Sequence, residues 1–247
     1  MHYFSSNPFL IIPFLLFFPT TCVISAGPLF HFCFGKNSTS PTYESNLNDL
    51  ADLLQAQVPP TGFGVGSVGQ GQTRANGLAL CRGDTLSSAC KACVVEASRK
   101  IRDRCPTNKA AIIWYDTCLY KYSNEAFFGQ IDNKHKFYLF NTDDAEEPDF
   151  NEKTKNLLTR LVNKAYTSPV LYATGEQELG ASEPIYFNWV VYGLVQCTRD
   201  LSGNDCKKCL EAIVSEFPDC CEGKQGGRIV GGSCNFRYEV YPFINTE

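Results

Sequence analysis

The sequence predicts an α+β protein of two tandem disulfide-framed modules, each an antiparallel β-sheet with two helices packed on one face. A cysteine motif with eight and then two intervening residues occurs twice, 116 positions apart. In each copy, strand-like and helix-like segments follow one another in the same order, as in α+β folds. The length of 247 residues suits two modules of about a hundred residues each. The cysteines that superpose are Cys81, Cys90, Cys93, Cys105 and Cys118 on Cys197, Cys206, Cys209, Cys221 and Cys234.

The first 26 residues have the pattern of a secretory signal peptide, and we expect modules at 28–129 and 134–245. The apolar block from Pro8 to Phe18 is short for a bilayer span and is followed by small residues up to Ala26. An uncleaved anchor is the alternative. Cleavage removes Cys22 and leaves twelve cysteines, six per module, an even number that suits disulfides in an oxidising compartment. These features predict a secreted, extracellular protein.

Composition argues against two other classes of partner. The net charge is −4 and the basic residues are dispersed, so there is no electrostatic footprint for nucleic acid. No later stretch is apolar and long enough for a membrane helix, and we expect no transmembrane segment in the mature chain. Asn37 begins a glycosylation sequon with Ser38 and Thr39.

The first module begins with an amphipathic helix. Leucines from Leu47 to Leu54 lie at helical spacing, with Ser45 as a possible cap and Pro59 and Pro60 as the end. A glycine-rich strand follows from Phe63. These glycines do not form a nucleotide loop, because no Gly-Lys-Ser/Thr follows them.

The remainder of the first module contains the cysteine motif. A strand at 77–81 leads into a second helix that starts near Ser87 and continues towards Cys105. The apolar and aromatic stretch 110–122 predicts one long strand that closes the module.

The second module repeats this order. Residues 150–165 have a clean helical pattern of apolar positions, and strands are expected at 171–174 and 185–192. The second helix carries Cys206 and Cys209 and ends by Pro218. The acidic run 143–149 suits a solvated turn, and the boundary between modules is expected near 129–133.

Paired Cys-x-x-Cys motifs have three interpretations. A zinc site of Cys90, Cys93, Cys206 and Cys209 has suitable ligands but leaves other cysteines over in an oxidising compartment. A redox-active pair needs a thioredoxin-like surround that neither copy has. Structural disulfides are the interpretation we adopt, with no metal and no cofactor.

The duplicated motif and the C-terminal run from Cys234 to Phe243 resemble the plant cysteine-rich repeat secretory proteins. The segments 186–202 and 223–228 are similar to this family too. The same paired module forms the ectodomains of cysteine-rich receptor-like kinases and of plasmodesmata-located proteins. A single copy forms ginkbilobin, an antifungal seed protein that binds mannose. The resemblance covers nearly the whole mature chain and implies an apoplastic protein with ginkbilobin-homologous domains.

The resemblance implies a disulfide pattern that sequence alone leaves open. In the second module no cysteine corresponds to Cys33, because Phe140 takes that place. Cys220 and Cys221 are left over, and we expect a vicinal disulfide, with free thiols or an intermolecular bridge as alternatives. Adjacent Cα atoms lie about 3.8 Å apart, below the usual disulfide range, so this bond is expected to be comparatively reducible. The implied pairs are Cys33–Cys105, Cys81–Cys90, Cys93–Cys118, Cys197–Cys206 and Cys209–Cys234.

The mannose site of ginkbilobin has matching residue types only in the second module. Its asparagine, arginine and glutamate positions correspond to Asn141, Arg228 and Glu239. Such side chains suit a sugar, whose hydroxyl groups both donate and accept hydrogen bonds. The alternative is structural, with Arg228 and Glu239 as a cross-strand ion pair and Asn141 in a turn. The first module has Phe34, Ile112 and Ser123 at these places and is not expected to bind mannose this way.

We expect recognition rather than catalysis. The three histidines, His2, His31 and His135, have no nucleophile beside them in the sequence that would complete a hydrolase site. Trp189 and Tyr241 could stack on a sugar, although aromatic residues in such folds are more often buried. The sequence therefore predicts a non-enzymatic, lectin-like protein that binds a mannose-type glycan in plant defence, with antifungal activity. The alternative is a protein-interaction module that binds a receptor ectodomain, another cell-surface partner or a cell-wall component.

Overall fold

The computed structural model describes residues 27–37, 40–181 and 188–245. Two five-stranded antiparallel sheets have the orders β1-β4-β5-β3-β2 and β6-β9-β10-β8-β7. The strands are β1 (Phe30–Asn37), β2 (Phe63–Val68), β3 (Ala75–Cys81), β4 (Asn108–Trp114), β5 (Cys118–Ser123), β6 (Lys136–Phe140), β7 (Tyr172–Ala181), β8 (Asn188–Cys197), β9 (Gly226–Gly231) and β10 (Cys234–Glu239). The helices are α1 (Pro41–Thr61), α2 (Ser87–Arg104), α3 (Phe150–Ala165), α4 (Gly203–Ser215) and α5 (Phe217–Cys221). This arrangement confirms the predicted α+β class.

Helix α1 begins earlier than its leucine pattern predicted. The side chain of Ser40, not Ser45, caps it by accepting a hydrogen bond from the backbone N–H of Tyr43 at 3.2 Å. The prolines at 59 and 60 lie inside the last turn rather than ending the helix. Gly62 ends it, since its φ of 75° is left-handed and its N–H donates to the carbonyl of Val58.

The predicted single strand over 110–122 is wrong. A tight turn splits it into β4 and β5, because the backbone N–H of Tyr115 donates to the carbonyl of Cys118 at 2.8 Å. Both strands are buried on both faces, so the sequence is apolar on either side of the turn. The hydrophobic pattern therefore gives no signal of the turn. The turn places Asp116 at the end of the sheet.

Strand β1 and helix α5 are among the elements for which no residue range was predicted. Strand β1 pairs with β4 at the edge of the first sheet and carries Cys33. Helix α5 follows α4 after a break at Glu216, so Pro218 lies within a second short helix instead of ending the first. Proline is tolerated there because the first turn of a helix needs no internal N–H donor.

The two sheets stack with their helices outward. Each sheet packs one face on its own helices, and the other faces meet in an apolar layer that joins the modules. Trp114 of β4 lies in this layer, packs edge-on against Phe137 of β6 and donates its indole N–H to the carbonyl of Gly231. The buried residues of the layer are Leu78, Leu80, Ile112, Trp114, Leu119, Phe137 and Val230.

Five disulfide bonds join the helical layers to the sheets, and a sixth links two neighbouring residues of α5. In the second module Phe140 pairs with Gly227 where Cys33 pairs with Ala111 in the first. Cys221 is bonded to Cys220, so the vicinal bridge takes the place of the missing long one. The pairs are Cys33–Cys105, Cys81–Cys90, Cys93–Cys118, Cys197–Cys206, Cys209–Cys234 and Cys220–Cys221.

Several predictions fall outside the described residues. The signal peptide at 1–26 does so entirely, as do the side chain of Asn37 and residues 38 and 39 of the sequon. The module boundary near 129–133 stays a prediction; this segment connects β5 to β6. No helix within the described ranges is long and apolar enough to cross a membrane.

Candidate functional site

The three predicted sugar-site residues lie at one end of the second sheet, on neighbouring strands. Asn141 directly follows β6 and donates its backbone N–H to the carbonyl of Gly226 at 2.8 Å. Arg228 lies in β9, and Glu239 closes β10 opposite Gly226. Register alternation puts all three on the face that meets the first module, because Leu139 pairs with Arg228 and belongs to the apolar layer.

The carboxylate of Glu239 lies directly over Gly226. A Cβ atom at position 226 would come within 1.9 Å of Glu239 Oε2, so only glycine leaves room for this side chain. Glu239 Oε1 lies 3.9 Å from Arg228 Nε and accepts a closer hydrogen bond, at 2.8 Å, from Arg237 Nε. The predicted pair of Arg228 and Glu239 is therefore present, but Arg237 is the nearer partner of the glutamate.

Asp116 of the first module completes the electrostatics of this site. Its Oδ1 lies 2.5 Å from Arg228 Nη1 and 3.4 Å from Arg237 Nη1, both in the second module. Its Oδ2 lies 2.9 Å from Arg82 Nη1 of the first module. We call Asp116 and these three arginines the Asp116 cluster. Sequence reasoning missed it, because 112 positions separate Asp116 from Arg228 and the repeat pattern relates only equivalent positions.

The cluster keeps Asp116 ionised. Burial alone would raise the pKa of its carboxyl group, but the guanidinium groups of Arg228, Arg237 and Arg82 hold that pKa below its usual value. For Arg82, burial acts against the charged form, yet Asp84 and Asp116 raise the pKa of its guanidinium. With Asp84 and Glu239, which pair with Arg82 and Arg237, three carboxylates balance the three guanidinium groups of the cluster.

The C-terminal segment closes over the cluster. The ring of Phe243 lies 4.0 Å from the guanidinium carbon of Arg237, a cation–π contact. The carbonyl of Phe243 accepts a hydrogen bond from Arg82 at 3.3 Å. The backbone N–H of Asn245 donates to Asp84 at 2.8 Å, which ties residues after β10 to the first module.

Some polar groups of the site have unused hydrogen-bonding capacity, although the Glu239 side chain is only 8% exposed. Within the described ranges, Glu239 Oε2 accepts no hydrogen bond and Arg228 donates only through Nη1. Asn141 accepts at Oδ1 from the N–H of Asp143 at 3.1 Å, which leaves its amide NH₂ as a donor. An acceptor, a guanidinium donor and an amide donor therefore share one sheet end.

The histidines and the zinc candidates have other roles. His135 contacts Asp132 at 2.9 Å and stacks on Phe34, and Lys121 contacts the same Asp132 at 2.6 Å, which anchors the connecting segment. His31 lies near the sulfurs of Cys33 and Cys105, but those sulfurs are bonded to each other and are not free thiolates. The four cysteines considered for zinc are likewise all in disulfides.

Comparison with known proteins gives consistent matches along the chain. The family profile described as salt stress response/antifungal matches residues 32–125 and 140–241. An antimicrobial ginkbilobin-2-like protein of Castanea crenata is 54% identical over 98% of this chain and 99% of its own. Cysteine-rich repeat secretory protein 38 of Arabidopsis thaliana is 51% identical over 88% of this chain and 86% of its own.

Solved structures match over most of the chain. The tandem DUF26 ectodomain of the Arabidopsis thaliana cysteine-rich receptor-like protein PDLP8 has a TM-score of 0.71 at 22% identity, covering 86% of this chain and 97% of its own. The corresponding ectodomain of PDLP5 has a TM-score of 0.70 at 24% identity, covering 87% of this chain and 100% of its own. At these identities the likeness shows the fold.

Proposed function

The chain belongs to the salt stress response/antifungal family, and from that membership we propose that it is a defence protein whose second module binds a mannose-type glycan. It is secreted and extracellular, like the secretory proteins that it resembles. It acts by binding, without catalysis. The proposed ligand residues are Asn141, Arg228 and Glu239.

One observation carries this proposal: a carboxylate oxygen of Glu239, which accepts no hydrogen bond from the described residues, lies over Gly226 of the strand that carries Arg228, beside Asn141. Neighbouring hydroxyl groups of mannose can donate to that oxygen and accept from the amide and the guanidinium. Arg237 and Asp116 hold the charged side chains in place, so that little ordering accompanies binding. Hydrogen bonds to charged groups are also the stronger kind.

The described residues of the first module do not carry the same three side-chain types at the corresponding positions. At the position of Arg228 it has Ile112, which is fully buried in the layer between the sheets. The proposal therefore assigns one mannose site per chain.

The test is isothermal titration of the disulfide-intact protein with a mannose oligosaccharide. We expect Glu239→Gln to weaken binding by about tenfold through the loss of a charge-assisted hydrogen bond, and Asn141→Ala to weaken it by a smaller factor through the loss of a neutral one. Glu222→Gln is the matched control, because Glu222 is an exposed glutamate of the same module. Near-UV circular dichroism must show each variant folded at the titration temperature, because Glu239→Gln also weakens the ion pair with Arg237 and is expected to lower thermal stability. Equal affinity in all variants, or no binding by the wild type, would contradict the proposal.

A protein partner is the second candidate function. Exposed aromatic side chains lie at the edges of the two sheets, Phe30 on β1 and Tyr138 and Phe140 on β6. Exposed aromatics are typical of recognition surfaces. Co-purification with a cell-surface receptor that is lost in Phe140→Ser, with glycan binding absent, would favour this candidate.

A further inference from the structure

A cavity lies in the second module, on the face of its sheet opposite to the proposed mannose site. The β7–β8 hairpin continues to Ala181 and Asn188, whereas α3, which packs on it, begins only at Phe150. Alternation along β8 places Trp189 on the helix side together with the buried Val191. The cavity at this end of the hairpin is lined by apolar groups of Phe150, Leu179, Trp189 and Val240.

Trp189 is the exposed part of the cavity wall. Its side chain is 40% exposed, although tryptophan in such a sheet is usually buried. Across the hairpin it pairs with Gly180, which offers no side chain to cover the indole. An uncovered aromatic face beside an apolar floor suits a ligand with an apolar side.

The rim of the cavity is acidic. Glu146, Glu147 and Gln225 line it, and neither glutamate side chain forms a hydrogen bond or ion pair in the described parts of the chain. The neighbouring acids differ, since Asp144 contacts Lys224 at 2.5 Å and Asp149 contacts Lys153 at 3.7 Å. Two uncompensated carboxylates therefore face a cavity with an aromatic wall.

The backbone around the cavity is held in place before any ligand binds. Lys153 Nζ donates to the carbonyl of Leu179 at 2.6 Å, which fixes the hairpin to α3. Gln225 donates through its side chain to the carbonyl of Asp144 at 3.0 Å and through its backbone to Asp143. The N–H of Phe150 donates to the carbonyl of Glu147 at 3.1 Å. A preformed wall and rim favour binding because little has to be ordered.

We propose that this cavity binds an amino sugar. The C–H face of a pyranose ring packs on the indole of Trp189, and the ammonium group lies between the carboxylates of Glu146 and Glu147. An aromatic face also attracts the positive charge. This site is separate from the proposed mannose site, which lies on the other face of the sheet, and it adds a charged class of sugar to the recognition that we propose there.

Tryptophan fluorescence tests this proposal directly. The chain has two tryptophans, and Trp114 is only 2% exposed, so a ligand-dependent change reports Trp189. The probe is a β-1,4-linked glucosamine tetramer, compared with the same tetramer fully N-acetylated. We expect a saturable change with the first and at least tenfold weaker binding of the second, because acetylation removes the positive charge.

Single substitutions separate the contributions of the acidic rim and of Trp189 to binding. Glu147→Gln is expected to weaken binding of the glucosamine tetramer about tenfold, and the control Glu222→Gln is expected to leave it unchanged. Trp189→Phe removes the signal, so its binding is followed by calorimetry and is expected to fall. The affinity should also decrease as pH rises through the pKa of the sugar amine.

Three results would overturn the inference. Equal binding of the acetylated tetramer would show that the positive charge of the sugar is not recognised. An unchanged affinity of the Glu147→Gln variant would show that the acidic rim does not contact the ligand. Equal binding of Nα-acetyl-lysine methyl ester would show that any ammonium group suffices and that the sugar ring is not recognised. Failure here leaves mannose titrations of Asn141→Ala and Glu239→Gln unaffected, so the two proposals fail separately.

Discussion

Asp116 is one carboxylate that three guanidinium groups share, and it belongs to the opposite module from two of them. Its removal leaves Arg228 and Arg237 with fewer ion-pair partners at positions that are largely shielded from water. Leaving such a charge unpaired costs more free energy than an exposed ion pair contributes. We therefore expect the loss of Asp116 to weaken the contact between the modules.

We expect Asp116→Asn to lower the free energy of unfolding at pH 6 by about 2 kcal/mol, between the values for exposed and buried pairs. The folded-state pKa of Asp116 is lowered, so its stabilisation is present above the usual carboxyl pKa and is lost as the pH falls through the lowered value. The difference between wild type and variant should thus shrink towards pH 3. Urea unfolding at both pH values measures it.

The matched control is Asp103→Asn, which removes an exposed pair with Arg99 on the surface of α2. It should change stability by less than about 0.5 kcal/mol. If the Asp116 variant is no less stable than this control, the cluster does not stabilise the protein.

At the scale of elements, close approach of helix and strand recurs in both modules. Gly77 in β3 lies under Leu50 of α1, and Gly193 in β8, its equivalent after the 116-residue shift, lies under Leu157 and Leu161 of α3. A Cβ at position 193 would come within 2.9 Å of both leucine side chains. The missing side chain lets α3 lie low on the sheet.

Gly193→Ala should therefore lower the free energy of unfolding by about 1–3 kcal/mol, the usual cost of overpacking. Thermal unfolding measures it. Gly175→Ala on the neighbouring strand is the comparison. There a Cβ atom would lie 3.1 Å from the nearest atom of Leu161, so the loss of unfolding free energy should be smaller. A neutral Gly193→Ala would mean that the leucines repack freely.

The sequence predicted elements well where one face is buried. Helix α3 has the predicted bounds because its apolar positions fall on one side of the helix. The turn between β4 and β5 escaped prediction because residues on both sides of it are buried. Asn141, Arg228 and Glu239 were proposed from the resemblance, but Asp116 and Arg237 were not, since their contacts depend on how the two sheets stack.

The whole molecule is a stack of helices, sheet, sheet and helices. The apolar layer between the sheets places Val230 of β9 against residues of the first module. Each sheet has its own separate core on the helix side. The two modules should therefore unfold together only as long as this middle layer is intact.

Val230→Asp places a charge in the middle layer and leaves the two helix-side cores unchanged. We expect calorimetry to show two separate unfolding transitions and a loss of about 3 kcal/mol from the coupling of the modules. Val170→Asp, at an exposed valine of the second module, should keep the wild-type transition. A single transition in both variants would show that the modules are not coupled through this layer.

The contacts of Phe243 and Asn245 with Arg82 and Asp84 span the chain from its last described residues to its first half. During synthesis the first module emerges from the ribosome well before these residues and can fold in their absence. Its Arg82 then has only partners from its own module until residues 243 and 245 have been translated. The contact between the two modules is thus completed by residues that are translated after the strands of both sheets, and a chain terminated before Phe243 lacks these contacts.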